Sequence, residues 1–372
     1  MSLPLPHARL EIISTNLKHN LDFIKSKLND DTKVLVLVKA NAYGHGAIPV
    51  SNILEKAGVD YLAVATVGEG VALRENGITV PIMILTLGLD YNTILIENNL
   101  EPVLYDFEVL ESFANTLDKE NISSYPVHIN FDTGMHRLGY MEKDMDRLKD
   151  FISEHPRLYV KSIYSHLAVA DELDQDEFTK KQFAQFKVMA DEFTSILPYK
   201  PMRHILNTAG IERFPEYQYD MVRLGLGAYG ISPLPTKEEG YEVCGRLRCP
   251  IIQVRNLEVS DGTIGYGRKG IITDKVKTIA TIPVGYADGI DRRLGCGAVS
   301  FEVNGKMAPT IGNICMDMCM IDVTGIPVKF GDIVTIFGEN PRASTLSNAI
   351  GTIPYEIICS ISERIERVVV NK

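Results

Sequence analysis

The chain has 372 residues, 45% of them hydrophobic and 23% charged, and its formal net charge is −10 at pH 7. A single hydrophobic core stops growing at roughly 250–300 residues, so this length predicts two domains. The acidic balance disfavours nucleic acid and anionic membrane surfaces as partners, and no apolar run approaches the roughly 20 residues that span a bilayer.

The amino terminus has no basic stretch followed by an apolar core, so no secretory signal is expected and the cytoplasm is the predicted location. All six cysteines lie between residues 244 and 359. Cys315 and Cys319 flank Met-Asp-Met, but no second cysteine pair or histidine follows to complete a zinc site. We therefore expect reduced core thiols and no bound metal.

After a strand-like opening segment, 7–13, short apolar runs alternate with helical patterns up to about residue 232. The predicted strands are 34–38, 61–65, 82–85, 102–104, 127–131, 160–164, 203–206 and 221–224. The clearest helix is 174–196, where Phe178, Phe183, Phe186, Met189 and Phe193 recur at helical spacing. Parallel strands need long crossovers, so this alternation favours a parallel sheet.

Eight strand–helix units in about 230 residues match a closed (β/α)8 barrel of the TIM type. An open, doubly wound sheet is the alternative, but no GxGxxG motif follows the first strand to support a dinucleotide site. After the barrel, strand-like runs at 249–254, 277–282, 298–303, 318–322 and 332–337 are separated by turn signals. We therefore predict an α/β barrel at 14–235 and a mainly antiparallel β domain at 236–372, which strand 7–13 joins.

Side chains at the carboxyl ends of barrel strands point into the active-site mouth. Lys39 follows the apolar run of the first strand, where desolvation lowers the pKa of a lysine and suits it to act as a Schiff-base nucleophile. The alternative is a lysine that merely caps the strand and reaches water. The glycine-rich turn behind it, which carries an aromatic hydroxyl, favours the functional interpretation.

Other strand ends contribute cations and small polar residues. Arg137 lies between two glycines after the fifth strand, where its donors could hold a carboxylate or a phenolic oxygen; a surface pair with Asp132 is the alternative. His166 ends the sixth strand, and a lone histidine there is more often structural than catalytic. The loops after strands seven and eight, 207–210 and 223–227, combine a helix-capping asparagine with glycines and form a plausible phosphate cup.

Residues 38–46, Val-Lys-Ala-Asn-Ala-Tyr-Gly-His-Gly, closely resemble the pyridoxal-phosphate attachment motif of alanine racemases. Six further segments are similar to motifs of that family and occur in the same order: 132–139 (DTGMHRLG), 223–225 (RLG), 265–267 (GYG), 283–289 (PVGYADG), 314–317 (ICMD) and 352–356 (TIPYE). The resemblance spans nearly the whole chain. It implies a fold-type III enzyme with a barrel and a C-terminal β domain.

The resemblance also implies a role for each matched residue. Lys39 would carry pyridoxal 5′-phosphate as an aldimine. Arg223 would donate to the pyridine nitrogen, and His166 would orient Arg223. Arg137 would reach the phenolic oxygen of the cofactor and the substrate carboxylate, which the backbone of Met316 would also bind. The residues expected around the phosphate are Tyr43, Thr208, Gly225, Leu226 and Tyr355. Asn207 is also expected to bind the cofactor, and Tyr286 would line the entrance.

Racemisation removes a proton from one face of Cα and returns one to the other, so two bases are needed. The resemblance implies Lys39 on one face and Tyr266 on the other. In the family this tyrosine comes from the partner subunit, which implies a homodimer with a shared active site. Without the resemblance, Tyr266 would be interpreted as a turn residue packed between two glycines.

One position departs from the family pattern. Many members have a carbamylated lysine two residues before the Asp of the DTGM segment, and here that position is Asn130. Asparagine cannot be carbamylated, so Arg137 loses an anionic neighbour. We hypothesise that a bound anion such as chloride, or the Asn130 amide itself, takes its place.

Three alternative functions compete with this interpretation. A barrel decarboxylase of basic amino acids uses the same cofactor, but its cysteine-bearing C-terminal motif is not recognised here. A cofactor-binding homeostasis protein would be a single barrel without a β domain. A racemase for serine, lysine or a broader range remains open, although Tyr286 and Tyr355 at the entrance would crowd a long side chain and favour alanine.

Overall fold

The protein is described here by a computed structural model that covers residues 7–234, 239–272 and 276–371. The chain divides into two compact units. The barrel unit holds Lys18–Ala40 and Ala47–Tyr241, and the β unit holds the amino-terminal segment through Leu17, Asn41–Gly46 and the chain from Glu242 onward. The predicted domain boundary between residues 235 and 236 lies outside the described residues.

The strands are β1 (Arg9–Ile13), β2 (Lys33–Leu37), β3 (Tyr61–Val64), β4 (Ile82–Ile84), β5 (Glu101–Leu104), β6 (Tyr125–Asn130), β7 (Leu158–Tyr164), β8 (Met202–His204), β9 (Met221–Leu224), β10 (Gly245–Pro250), β11 (Gln253–Leu257), β12 (Thr263–Ile264), β13 (Gly270–Ile271), β14 (Lys277–Ile282), β15 (Ser300–Val303), β16 (Lys306–Pro309), β17 (Cys319–Asp322), β18 (Ile333–Phe337) and β19 (Glu366–Val370). The helices are α1 (Ser14–Lys25), α2 (Lys39–Tyr43), α3 (Ala47–Lys56), α4 (Val67–Glu75), α5 (Asn92–Glu97), α6 (Phe107–Lys119), α7 (Met145–Glu154), α8 (Asp176–Thr194), α9 (Thr208–Arg213), α10 (Ala343–Ile350) and α11 (Pro354–Cys359).

In the barrel unit, eight strands form one parallel sheet in the order β8-β7-β6-β5-β4-β3-β2-β9. Its two ends are joined by backbone hydrogen bonds from Asp220 N to Arg203 O (3.1 Å) and from Arg223 N to Leu206 O (3.0 Å), which close the sheet. The predicted barrel is therefore confirmed, and each of its eight predicted strands overlaps an observed one. Strands buried on both faces read as continuous apolar runs, which is why they could be located from the sequence.

Helix α8 is the longest helix of the barrel unit and covers most of the predicted range 174–196. Phe183, Phe186, Met189 and Phe193 are buried, as the helical spacing predicts. Phe178 is the exception, since 38% of its surface is exposed. It lies in the first turn of the helix, one turn before the buried stripe begins.

The β unit contains a six-stranded sheet in the order β16-β15-β18-β10-β1-β19, a three-stranded sheet β11-β14-β17 and a two-stranded pair β12-β13. All pairings are antiparallel except the one between β1 and β19. The mainly antiparallel architecture expected from the sequence is confirmed. Strand β1 lies between β10 and β19, so the amino-terminal segment is an interior strand of this sheet.

The prediction of one strand at 249–254 is wrong. Strand β10 ends at Pro250 and β11 begins at Gln253, and the two belong to different sheets. Proline donates no hydrogen bond to a strand pairing, and strands that pass between packed sheets bend at such corners. Because Pro-Ile-Ile is apolar, the sequence pattern continues across this break and does not indicate it. Strands β12, β13, β16 and β19 and helices α10 and α11 were not predicted from the sequence.

None of the six cysteines forms a disulfide. Cys244, Cys249 and Cys319 are buried, but the expectation of core thiols is wrong for Cys296 and Cys359, which are exposed. These two lie outside the strands, Cys296 in a turn and Cys359 at the last position of α11. Across the described ranges, no helix combines the length and the apolar character needed to cross a membrane.

Candidate active site

Lys39 is the first charged side chain beyond the carboxyl end of β2. Val34 to Val38 are buried, and Val38 N still donates to Ala63 O (2.9 Å), so the pairing runs up to the residue before the lysine. Lys39 itself is half-buried. This is the end of a (β/α)8 barrel at which catalytic side chains lie.

The turn α2 that begins at Lys39 has an unusual backbone. Ala40, Asn41, Ala42 and Tyr43 have φ angles of 51°, 54°, 53° and 50°, all in the left-handed region. A residue with a Cβ costs about 1–2 kcal/mol in this conformation. Such strain concentrates at functional sites, where the surrounding structure holds it in place.

Contacts within the β unit hold the segment Asn41–Gly46. The Arg367 guanidinium donates to the Gly44 carbonyl oxygen from Nε (3.1 Å) and Nη2 (3.0 Å), and Gly46 N donates to Asn41 O (2.8 Å). A Cβ on Gly44 would overlap the carbonyl oxygen of Ile358, and its φ is +81°, so only glycine fits here.

Tyr43 and Tyr355 form an aromatic pair in the β unit, with ring centroids 5.6 Å apart and planes tilted by 49°. Tyr43 is buried and Tyr355 half-buried. Burial, together with Tyr355 and Cys359, raises the pKa of Tyr43. The Tyr43 hydroxyl is therefore protonated at neutral pH.

Arg223, on β9, is buried inside the barrel and makes several hydrogen bonds. Its Nη2 donates to Ser165 O (2.7 Å), Ile205 O (3.0 Å) and His166 Nδ1 (3.2 Å), and its Nη1 donates to His204 Nδ1 (2.9 Å). Burial lowers the pKa of Arg223 to about 10, which still leaves the guanidinium charged at neutral pH. Since a guanidinium only donates, the Nδ1 atoms of both histidines must be unprotonated.

Three positively charged side chains of the barrel unit act electrostatically on His166. Its pKa is held well below the ordinary histidine value by desolvation and by the nearby charges of Arg223, Arg137 and Lys39. Among the described residues, no carboxylate forms an ion pair with Arg223 or Arg137. A ligand with several negative groups is the electrostatic complement of this cluster.

The loops after β8 and β9 meet as predicted. Thr208 opens helix α9, which Asn207 caps by accepting from Gly210 N (2.9 Å). The Thr208 hydroxyl oxygen in turn accepts from Gly225 N (2.9 Å), so its own proton points elsewhere. Gly225 and Leu226 are buried.

Arg137 lies on the loop after β6. The proposed alternative, a pair with Asp132, is not formed, because that carboxylate accepts from Gly134 N (2.9 Å), His136 N (3.0 Å) and His136 Nδ1 (3.0 Å). Arg137 instead lines a cavity of about 410 Å³. Asn130 makes no hydrogen bond to Arg137 but donates from Nδ2 to the carbonyl oxygen of Leu138 (3.2 Å).

Tyr266 lies in the β unit on a turn whose backbone depends on the two glycines that flank it. Gly265 and Gly267 have φ angles of 73° and 66°, in the region that favours glycine. The Tyr266 side chain is 72% exposed in the single chain, which leaves it accessible to another molecule. Its backbone carbonyl accepts from Asn313 Nδ2 (2.7 Å).

Tyr286 and Met316 are brought together in the β unit by backbone contacts. Tyr286 N donates to Cys315 O and Ala287 N to Met316 O, both at 3.0 Å. Gly285 has no space for a Cβ, because one would overlap the carbonyl oxygens of Cys315 and Met316. Within the described residues the Met316 N–H donates to no acceptor, so it is available to bind an anion.

Sequence reasoning missed three residues next to these groups. His204 and Tyr164 contact Arg223: His204 accepts a hydrogen bond, and the Tyr164 ring centroid lies 5.0 Å from the guanidinium carbon. Both lie inside predicted strands, where a single sequence does not distinguish a polar partner from a core residue. Asn313 could have been noticed only from its position two residues before Cys315.

Comparisons with known proteins agree with this geometry. A family model described as "Alanine racemase, N-terminal domain" matches residues 12–233, and one described as "Alanine racemase, C-terminal domain" matches residues 244–369. The chain is 36% identical to an alanine racemase of Treponema denticola (96% of each chain covered) and 38% identical to alanine racemase 1 of Caldanaerobacter subterraneus subsp. tengcongensis (97% and 94%). A solved structure of alanine racemase from Clostridium difficile 630 superposes with a TM-score of 0.91 at 33% identity, covering 100% of this chain and 97% of that one.

Proposed function

The chain belongs to the alanine racemase family, and on that premise we propose that it interconverts L-alanine and D-alanine with pyridoxal 5′-phosphate by a two-base mechanism. Its product would be D-alanine for bacterial cell-wall peptidoglycan. The observation that carries the proposal is the hydrogen bond from Arg223 to His166 (3.2 Å), at a place where the charges of Arg137 and Lys39 also lower the pKa of His166. A cofactor with a phosphate and a phenolic oxygen, bound with a substrate carboxylate, would be electrostatically complementary to these positive charges.

In the barrel unit, we assign the Lys39 amine both to covalent attachment of the cofactor and to proton transfer at one face of the substrate Cα. When bound, the cofactor delocalises the electron pair that remains after the Cα proton leaves. Arg223 would donate to the pyridine nitrogen and, since it keeps its own proton, would leave that nitrogen unprotonated. His166 would orient Arg223. Thr208, Gly225 and Leu226, with the cap residue Asn207, would hold the phosphate.

In the β unit, we assign Tyr266 to the opposite face of Cα, donated by the second subunit of a homodimer. Its exposure in the single chain supports this assignment, because a base that serves another subunit must be accessible to it. Tyr43 and Tyr355 would complete the phosphate site as hydroxyl donors. The Met316 N–H and, from the barrel unit, Arg137 would bind the substrate carboxylate, and Tyr286 would line the entrance.

We further propose that the enzyme works in the cytoplasm and that its domains are 14–235 and 236–372, with strand β1 joining the second. For the position usually taken by a carbamylated lysine, we retain the hypothesis of an anion near Asn130. The amide makes no hydrogen bond to Arg137, which favours an ion over the amide itself. Exchange of chloride for gluconate should raise the KM for alanine if a small anion orients Arg137, and no change in KM would count against the ion.

The test of the function is incubation of the purified protein and cofactor with single L-amino acids, followed by chiral analysis of the products. D-alanine should form fastest. Faster conversion of serine or lysine would replace the alanine assignment, and release of an amine would indicate a decarboxylase.

A second test concerns Lys39. Lys39→Ala should abolish turnover and remove the visible absorbance of the covalently bound cofactor. Lys33→Ala, at the exposed start of the same strand, should retain both. Retention of the covalent cofactor in Lys39→Ala would refute the assignment of this lysine.

A further inference from the structure

Five polar side chains on five neighbouring strands of the barrel form a row behind the candidate site. They are Glu101 on β5, His128 on β6, Ser162 on β7, His204 on β8 and Arg223 on β9, and none is more than 7% exposed. Of these, the proposed mechanism uses only Arg223. Buried polar groups are costly unless they are hydrogen-bonded, so this row calls for an explanation.

The row is one continuous chain of hydrogen bonds. Arg223 Nη1 lies 2.9 Å from His204 Nδ1, and His204 Nε2 lies 2.9 Å from Ser162 Oγ. Ser162 Oγ lies 2.6 Å from His128 Nδ1, and His128 Nε2 lies 2.9 Å from Glu101 Oε2. Every member therefore contacts the next at hydrogen-bond distance.

The two ends determine the direction of every proton between them. Arg223 only donates, so His204 Nδ1 accepts, and neutral His204 then carries its proton on Nε2 and donates to Ser162. At the other end, the Glu101 carboxylate only accepts, so His128 Nε2 donates to it. In a neutral His128, Nδ1 must then accept the proton of the Ser162 hydroxyl. All four hydrogens thus point from Arg223 towards Glu101.

Any other arrangement breaks a bond. A doubly protonated His128 would turn its Nδ1–H towards Ser162. The serine proton would then either lose its acceptor or turn to His204 Nε2. In the second case the His204 proton would move to Nδ1 and face the donor group of Arg223. The pKa of His204 is held well below its ordinary value by burial and by the charge of Arg223, which keeps this imidazole neutral.

The acceptor end is itself fixed. Lys161 Nζ donates to Glu101 Oε1 at 2.7 Å, on the side away from His128. Burial alone would raise the pKa of Glu101, but the hydrogen bonds from His128 and Lys161 hold it below the ordinary value. Glu101 is therefore a carboxylate at neutral pH. Tyr61 and Arg74 also act electrostatically on this end of the chain.

We propose that Glu101, His128 and Ser162 are positioning residues that, together with Arg223, hold His204 in a single tautomer, so that its Nδ1 lone pair faces Arg223 and keeps the guanidinium in one orientation at the cofactor ring. This inference rests on the proposed role of Arg223. Hydrogen bonds aligned in one direction polarise one another. The carboxylate at the far end thereby stabilises the positive charge of a buried arginine that has no carboxylate partner of its own among the described residues.

The direct test is the tautomer of His204 in the full chain. With ¹⁵N-labelled histidine, the two ring nitrogens of a neutral imidazole give separate NMR signals. The signals that disappear in His204→Gln belong to His204, and those that disappear in His128→Gln belong to His128. With and without cofactor, His204 should be protonated on Nε2 alone. In Ser162→Ala, the His204 Nε2–H loses its acceptor, so the ring should no longer be held against Arg223 and should show both tautomers. A wild-type His204 protonated on Nδ1 would overturn the proposal.

Kinetics provide the second readout. Ser162→Ala should lower kcat about tenfold, the effect of one buried hydrogen bond, with a much smaller change in KM. Ser51→Ala is the matched control, because Ser51 is also fully buried and its hydroxyl has no hydrogen-bond partner among the described residues. Glu101→Gln keeps the shape of the side chain but removes the charge at the acceptor end. It should change the His204 signals and lower kcat, as Ser162→Ala does.

The two proposals fail separately. If the wild-type protein does not racemise alanine, the proposed function fails, while the His204 tautomer still tests the positioning role of Glu101, His128 and Ser162. If the wild-type protein racemises alanine but Ser162→Ala matches Ser51→Ala in both kcat and His204 signals, the positioning role of Glu101, His128 and Ser162 is refuted. If Ser162→Ala does not fold, unchanged tautomers and kcat in Glu101→Gln would refute it instead.

Discussion

Asn313 donates a hydrogen bond from its side-chain nitrogen to the backbone carbonyl oxygen of Tyr266, at 2.7 Å. The turn that carries Tyr266 has two left-handed glycines, and a second side-chain hydrogen bond at this turn runs from Arg268 Nε to Thr263 Oγ1 (3.1 Å). A catalytic group must be held close to its productive geometry. Asn313 therefore fixes the backbone from which the proposed second base extends.

The first prediction follows from this bond. Asn313→Ala should lower kcat about tenfold, because the Tyr266 turn loses its anchor while the fold keeps its core. Steady-state kinetics and the unfolding midpoint measure the two effects. Asn348→Ala, at an exposed helical position of the same unit, is the control and should leave kcat unchanged. Equal kcat in both variants would show that the bond does not position Tyr266.

The second prediction concerns Gly285. Gly285→Ala should raise the KM for alanine about tenfold, because its Cβ would displace the Met316 carbonyl and with it the N–H proposed to bind the substrate carboxylate. Gly68→Ala is the control, since a Cβ there meets no atom within 4 Å and lies in a helix. An unchanged KM in Gly285→Ala would remove Met316 from the substrate site.

The third prediction tests the shared site. Lys39→Ala and Tyr266→Phe should each be inactive alone. When the two variants are mixed and subunits exchange, half the dimers carry one variant of each kind, and each of these has one intact site. Activity should therefore recover to about one quarter of the wild-type value. Two controls, each variant passed alone through the same exchange, should stay inactive. A mixture without activity would place both bases in one subunit.

The fourth prediction concerns the pH dependence of stability. His45 is 2% exposed, and its Nδ1 lies 3.0 Å from Tyr43 O. Burial lowers its pKa to about 4, against about 6.5 in an unfolded chain. Between these values the unfolded state binds the extra proton, so stability is fully present above pH 6.5 and is lost as pH falls towards 4. The loss attributable to His45 is about 3 kcal/mol.

Urea unfolding at a series of pH values measures this loss. His166 and His204 also have lowered pKa values and contribute with the same sign, so the comparison needed is between variants. His45→Gln should have a shallower fall in unfolding midpoint than the wild type between pH 7 and 4. His7→Gln, at an exposed position, should match the wild type. An unchanged slope in His45→Gln would show that His45 is accessible to protons in the folded state.

The accuracy of the sequence analysis depended on how local each signal is. The barrel strands were located because a parallel strand buried on both faces is a continuous apolar run. The same signal failed at Pro250–Gln253, where an apolar run crosses from one sheet to another. It also gave no warning of the left-handed turn after Lys39. In that turn Gly44 and Gly46 were visible as glycines, but Ala40 to Tyr43 have side chains that ordinarily exclude such a backbone.

By itself, the sequence determined the two-part architecture, the family and the residue types that reach the carboxyl ends of the barrel strands, among them Lys39. These depend on periodicity and on short motifs, which are properties of neighbouring residues. Only the tertiary structure decided which groups act on one another. The charges of Lys39, Arg137 and Arg223 act on His166, and Glu101 connects to Arg223 through three intermediate side chains on separate strands. The physical reason is that burial and the fixed donor or acceptor character of each partner determine protonation, and both arise only when distant strands pair.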